Sequence, residues 1–366
     1  MSGASLGRLA AIVAIAGLAA APLRAAGLEP WSVPYVEPLR MTSLPLAMAD
    51  GTSLAAGEWE LTLTPGYFNL WSGSWHTATI HQELGLVGQP LTPAELRTLE
   101  QRHPGDDIHR FDVEGTLTEV RFARGLGHGL TASLAMPWIE IGRPHWDAIS
   151  QNFHGALGWG EGSREMFARS QTLAYVWSPR LHRPIAGWEE LARSGIGDVS
   201  VTLSGPLGTL AGGEQRWAAA VEAPTGKEGT LAGSGGWDVG VRWFGAWRWT
   251  RSLLRGAVGY TRLDPGGSFL GAERSDTWHA LAEYRHAWGE RADVLAAVRW
   301  DTSPLASFSG GEPGKAAFFF TFGARRWLGG GVFAAFALGE NLIPGGVNPD
   351  FTLQLQLGVH GGRSGR

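Results

Sequence analysis

Three groupings in the chain have residue types that catalysis or metal binding uses. Asp147, Ser150 and His154 supply a carboxylate, a hydroxyl and an imidazole. A nucleophile and its base must sit within hydrogen-bond reach. Ser150 and His154 stand four apart on one predicted helix, which rarely gives a productive triad, so a polar helix face accounts for them better. His279 and Glu283 also stand four apart, but on a predicted strand. There they share a face about 13 Å apart, too far for one metal ion without ligands from other strands. Residues 224–229 read Pro-Thr-Gly-Lys-Glu-Gly. That stretch has a Gly-Lys pair but lacks the first glycine of a phosphate loop, and no dinucleotide fingerprint or zinc motif is present. The chain contains no cysteine, which excludes a disulfide scaffold, a Cys-ligated metal and a thiol nucleophile. No enzymatic activity, metal or cofactor is expected.

A larger set of charges falls on segments of alternating polarity. The acids are Glu58, Glu60, Asp112, Glu114, Asp198, Glu222, Asp238, Glu283, Asp293 and Asp301. The bases are Arg216, Arg242, Arg255, His279, Arg285, Arg299 and Arg325. Acids dominate the early segments and arginines the later ones. If the segments close into a barrel with this face inward, the two halves oppose each other across a lumen. Asp112, Glu114, Glu222, Asp238, Arg242, Arg255, Glu283, Arg285, Asp293 and Arg299 are the candidate functional network. Two readings stand: salt bridges that fill a narrow barrel, or a polar pore whose field biases the passage of small solutes or ions. Lys227 and Lys315 are the two lysines. Arginine forms bidentate carboxylate pairs better than lysine does, which suits a network.

The elements that must carry these charges are strands. Trp59, Leu61 and Leu63 alternate with Glu58, Glu60, Thr62 and Thr64. Leu353, Leu355, Leu357 and Val359 alternate with Thr352, Gln354, Gln356 and Gly358. Successive strand side chains point to opposite faces. The spacing predicts strands near 58–70, 108–122, 129–140, 196–205, 214–224, 236–248, 253–263, 276–287, 292–302, 316–327, 331–340 and 350–360. Segments of about 10 residues suit tilted crossings of a hydrocarbon layer. Trp59, Trp138, Trp217, Trp237, Trp249, Tyr260, Trp278, Trp300 and Trp327 gather at segment ends, as interfacial girdles do. Turns at 123–128, 249–252, 288–291 and 328–330 are tight. Connections at 72–107, 142–194, 264–274 and 304–314 are longer, the pattern of short periplasmic turns and long outer loops. The expectation is therefore an all-β, transmembrane, antiparallel up-and-down barrel of about twelve strands. Residues 171–177 also read as strand and are assigned to the long outer loop. Thr92-Pro93-Ala94-Glu95 is a capping box that starts a helix. Residues 146–157 place Trp146, Ile149, Phe153 and Leu157 on one helical face. Both helices are expected to pack on the rim.

Charged residues make up 17% of the chain and the net charge is −4. That charge fraction is below the ~25% of soluble domains, and the charge gives no support for nucleic-acid binding. An apolar core at Leu9–Ala21 follows Arg8. It is shorter than the ~20 residues of a spanning helix, so 1–26 reads as a cleaved signal peptide. Residues 27–56 are rich in proline and read as a periplasmic lead-in, 57–360 as the barrel and 361–366 as a polar tail.

Residues 195–198 (Gly-Ile-Gly-Asp), 224–226 (Pro-Thr-Gly) and 349–351 (Pro-Asp-Phe) look like strand-edge signatures of Gram-negative outer-membrane barrels. Trp146-Asp147, Ile149, Phe153-His154, Leu157-Gly158 and Arg164 resemble a loop motif of one bacterial outer-membrane family. That family is described only as a domain of unknown function, and its loop reads roughly Leu-Asp-x-x-Ile, then Phe-His, then Gly-Leu and a later Arg. Trp146 stands where the motif has Leu, and the Gly-rich approach and the Pro after Arg164 are missing. Asp147, Phe153, His154 and Arg164 are the loop-motif candidates. The resemblance implies an outer-membrane barrel and no established activity. The expected partners are outer-membrane lipid, the barrel-assembly machinery and small solutes or ions. A passive channel or envelope component of the bacterial outer membrane is the reading carried forward. The rivals are an outer-membrane lipid-modifying hydrolase and a purely structural or adhesive barrel.

Overall fold

The computed structural model describes residues 31, 33, 34, 36, 44–47, 50–142, 146–158, 168, 172–179, 194–226, 232–264, 275–304, 314–341 and 349–362. The expected signal peptide, Arg164, Lys227 and most of the polar tail lie outside them. The strands are β1 (Trp59–Gly73), β2 (Ile108–Gly127), β3 (Leu130–Ile141), β4 (Leu173–Trp177), β5 (Ser194–Ile196), β6 (Val199–Leu210) and β7 (Gly213–Ala223). They continue with β8 (Asp238–Arg248), β9 (Ser252–Arg262), β10 (Asp276–Ala287), β11 (Ala292–Asp301), β12 (Ala317–Gly329), β13 (Val332–Asn341) and β14 (Pro349–Gly361). The helices are α1 (Trp75–Glu83), α2 (Pro93–Arg102) and α3 (Asp147–Leu157).

Twelve strands close an antiparallel barrel, each paired with the next and β14 paired back to β1. The other two extend the wall. Where β3 ends opposite Gly115, β4 takes over the free edge of β2 from Ile108 to Asp112. Residues 173–177, assigned from the sequence to the outer loop, thus form a strand that pairs with β2 outside the closed twelve. β5 continues β6 along β3, and a one-residue slip at Gly197-Asp198 separates their registers.

Two features fix the topology. Tight turns join β2–β3, β6–β7, β8–β9, β10–β11 and β12–β13 at one end, called here the turn end. At Ala211-Gly212 both φ angles are positive, 49° and 75°, the backbone that a two-residue hairpin turn demands. All longer connections leave the opposite, loop end. The pleat does the rest. Leu63, Leu134, Val241, Val258, Phe322 and Leu355 are exposed, whereas Thr62, Ser133, Arg242, Ala257, Thr321 and Gln354 beside them are buried. A water-soluble sheet buries its apolar face. This one presents it outward, in strands of ten residues or more, enough, when tilted, to cover about 25 Å. Exposed Trp138, Trp237 and Trp278 ring the loop end, and Trp249 and Trp288 the turn end.

At the loop end, α1 and α2 form a cap over β2 and β4, with a core of Ile80, Leu91, Leu96, Leu99, Ile108, Leu173 and Tyr175. The capping box at Thr92 and Glu95 starts α2. Helix α3 packs over β1, β13 and β14: Trp146 meets Tyr67 at 5.2 Å between ring centroids and Phe153 meets Phe351 at 5.2 Å. Its buried side differs from the sequence reading. Ser150 and His154 turn to the wall while Ile149 and Trp146 stay exposed, because the wall offers His154 a carboxylate, Glu340, at 3.3 Å.

Candidate functional site

The inner wall is built by register. Glu283 on β10 stands opposite Arg255 on β9, and the two pair at 3.1 Å. Asp293 on β11 stands opposite Arg325 on β12 and pairs with it at 2.9 Å. Asp293 also takes Arg285 from β10 at 2.8 Å. These five side chains form one chain of alternating charge across four strands. A second group lies nearer the loop end. Arg299 grips Asp301 with two bonds of 2.6 and 2.8 Å, and His279 meets the same carboxylate at 2.6 Å. All of these groups are buried. Buried charges must be paired, and paired arginines of this geometry give strong, directional bonds.

The charges pair between neighbouring strands, not across an open lumen as the acid-rich and arginine-rich halves suggest. Strands lie about 4.8 Å apart, so side chains at opposed register positions touch directly. The centre is also occupied. The sequence reading puts residues 27–56 ahead of the barrel as a periplasmic lead-in, yet most of their described residues are buried inside it. Trp31, Val33 and Leu46 fill an apolar patch of Ala218, Phe244, Ala257, Leu281, Leu295, Ala297, Ala335 and Ala337. Proline has no N–H, so this segment carries more carbonyls than donors, and each buried carbonyl needs a partner. The wall supplies them. Arg242 donates to Pro45 O at 2.7 Å, Thr261 to Leu44 O at 2.9 Å, Gln354 to Pro34 O at 3.0 Å and Ser204 to Thr52 O at 3.2 Å. Arg299 donates to Leu46 O. In return Leu44 N donates to Asp238 at 3.1 Å and Leu54 N to Thr131 at 3.0 Å. Asp50 pairs with Arg242 at 2.9 Å.

A cavity of about 70 Å³ lies between this segment and the wall of β2, β3, β6 and β7. Pro45, Asp50, Glu119, Arg121, Asp198 and Glu222 are among its lining residues. Glu222 Oε1 is buried without a hydrogen-bond partner among the described residues.

Of the candidate network, Arg255, Glu283, Arg285 and Asp293 are brought together as one cluster, and Arg242, Asp238 and Arg299 hold the inner segment. Glu222 lines the cavity. Asp112 and Glu114 belong elsewhere. They share the face of exposed Phe122, eight and ten residues on in an unbroken register, so they point away from the lumen. They are buried under the loop-end elements, where Arg110 pairs with Asp112 at 2.9 Å, and Tyr67 and Asn69 donate to Glu114 at 2.9 and 3.1 Å. Strand alternation alone could not show that a cap covers the outer wall there. Sequence reasoning also missed Asp50. The signal was Trp31, Val33, Val36, Leu44, Leu46 and Leu54, too many apolar residues for a solvated linker.

The short motifs act structurally. Asp198, turned by the slip after Gly197, accepts Gly226 N and Ser234 N, each at 2.7 Å. Thr225 donates to Gly197 O at 2.8 Å and accepts Val199 N at 2.9 Å. The 195–198 and 224–226 signatures are thus two halves of one clasp. Phe153 of the loop motif packs on Phe351 of the 349–351 signature. Asp147 lies at the start of α3, and Ser150 and His154 share that helix.

A family model described as "Protein of unknown function (DUF3187)" matches residues 106–360. The chain belongs to this family. The match spans the barrel from β2 to the last strand, so the DUF3187 region contains the clasp, both ion-pair groups and α3. The solved COG4313 outer membrane channel from Pseudomonas putida F1 is similar in fold, with TM-score 0.52 at 13% identity, over 87% of this chain and 100% of that one. Weaker likenesses are the translocator domain of the autotransporter NalP from Neisseria meningitidis and a FadL homologue from Pseudomonas aeruginosa. The first has TM-score 0.37, 11% identity and coverage of 84% and 89%; the second has 0.37, 9%, and 91% and 99%. No curated protein matches the DUF3187 chain.

Proposed function

We propose that this DUF3187 protein is an outer-membrane channel held closed by its own segment 31–56. The observation that carries the reading is the ring of bonds from β3, β6, β8, β9, β11 and β14 to the backbone of that segment. A barrel of twelve strands is wider than the eight whose interior side chains alone can fill. Here a peptide completes the filling, and polar bonds to water can replace the bonds that hold it. The apolar exterior and the fold shared with a solved channel support the membrane location. No solute is assigned. A sealed lumen also suits a structural envelope barrel, and this second reading differs in one measurable respect. In planar bilayers the intact full-length chain conducts rarely, and Arg242→Ala/Arg299→Ala, which releases Leu44, Pro45 and Leu46, opens far more often if the barrel is a channel. Silence from both, with the barrel still folded by heat-dependent gel mobility, overturns the channel reading in favour of the structural one.

A further inference from the structure

The cap at the loop end holds a cluster that no reading above has used. His76 sits in the first turn of α1. His103 and Asp106 bracket a tight turn after α2, closed by Asp106 N donating to His103 O at 3.1 Å. Asp106 Oδ2 is 3.1 Å from His76 Nε2 and 3.6 Å from His103 Nδ1, and one donor atom from each of the three residues falls within 4.8 Å of the others. We propose that His76, His103 and Asp106 form a binding site for a zinc-class divalent transition metal.

The geometry matches that chemistry. Zinc bonds to nitrogen and carboxylate oxygen are about 2.0–2.2 Å, so the edge of a tetrahedral shell is roughly 3.3 Å. The two measured separations lie on either side of it, and an ion needs only a few tenths of an ångström of movement to engage both pairs. Two imidazoles and one carboxylate select a borderline metal over calcium or magnesium, which prefer all-oxygen shells. The surroundings fit as well. His76 is buried, His103 half-buried and Asp106 exposed, so the imidazoles are positioned while the fourth ligand position reaches water. Trp75 packs on His76 with ring centroids 4.0 Å apart and planes tilted by 31°, and meets His103 edge-on at 5.9 Å, which restrains both rings. Ser74 N, just before α1, donates to His109 O of β2 at 2.9 Å, which anchors the helix start. A bound ion would tie α1 to the α2–β2 turn and brace the cap. His76 and His103 precede the span matched by the family model, so the site is a property of this chain and is independent of the channel reading.

The test is calorimetric titration of the full-length, tag-free chain in detergent with zinc chloride alone. One equivalent should bind. His103→Ala and Asp106→Asn should each weaken binding at least tenfold while keeping heat-dependent gel mobility, and His128→Ala at the turn end should leave it unchanged. A hundredfold excess of calcium should not compete. Absence of saturable zinc binding, binding untouched by His103→Ala, or displacement by calcium each overturns the proposal.

Discussion

The hold on the inner segment can be weighed at Arg242. Its guanidinium pairs with Asp50 at 2.9 Å and donates to Pro45 O at 2.7 Å and Leu44 O at 3.4 Å. Arg242→Ala removes all three and leaves the buried Asp50 carboxylate without a cation, held only by Ala47 N at 3.2 Å and Thr202 at 3.4 Å among the described residues. Breaking one side of a buried ion pair costs about 3–5 kcal/mol. Water entering the emptied space offsets part of this, so the lower end, ~3 kcal/mol, is the working figure. Every ~1.4 kcal/mol is tenfold in an equilibrium, so the released population rises about a hundredfold. The absence of cysteine makes an introduced thiol unique. Ala47→Cys puts one at the edge of the cavity, where a hydrophilic maleimide reports the released fraction if release and return are fast. Labelling should be slow in Ala47→Cys and on the order of a hundred times faster once Arg242→Ala is added, with unchanged heat-dependent gel mobility. A change below threefold in a folded barrel would refute the assignment of Arg242 as a clamp on the segment.

Other consequences follow from the same contacts. Trp31→Ala empties the place of a buried indole and should loosen the segment by about 3–5 kcal/mol, again read as faster labelling from Ala47→Cys with the barrel intact. Asp293→Asn leaves Arg285 and Arg325 without their shared carboxylate. It should destabilise the barrel by about 3 kcal/mol or more, seen as a lower temperature for the mobility shift, whereas the exposed Glu290→Gln should not. Leu355 faces outward and is 55% exposed. Leu355→Arg should cost ~2–4 kcal/mol if that face meets the hydrocarbon midplane, measured as a smaller heat-modifiable fraction in vesicles; no loss would place the face in water.

Much of the fold was legible because period two is a strong signal wherever one face is apolar and the other polar. All twelve wall strands fall near their predicted ranges, and the capping box at Thr92 gave α2. The lumen pairs on β9 to β12 were also legible as inward residues. Their partners were not, since register fixes which residues oppose and no single strand reveals it. Asp112 and Glu114 show the limit of alternation. The pattern separates two faces but cannot say that a cap buries the outer one. The apolar residues of 31–56 signal burial, but not where: an irregular, proline-rich chain has no period, so they carry no face until a wall is built around them.

The central claim is that this segment lies inside the barrel, and a disulfide tests it most directly. A Cβ built on Gly51 lies 2.6 Å from Phe244 Cγ on the inner wall. With about 1.5 Å more to Phe244 Cβ, the two Cβ atoms stand at most roughly 4 Å apart, inside the range of a disulfide. In a chain otherwise free of cysteine, Gly51→Cys/Phe244→Cys should close that bond in the folded, heat-modifiable protein. Reduction should then reopen it and restore maleimide labelling. A folded barrel in which both thiols stay free under oxidation would place the segment outside the lumen and contradict the account.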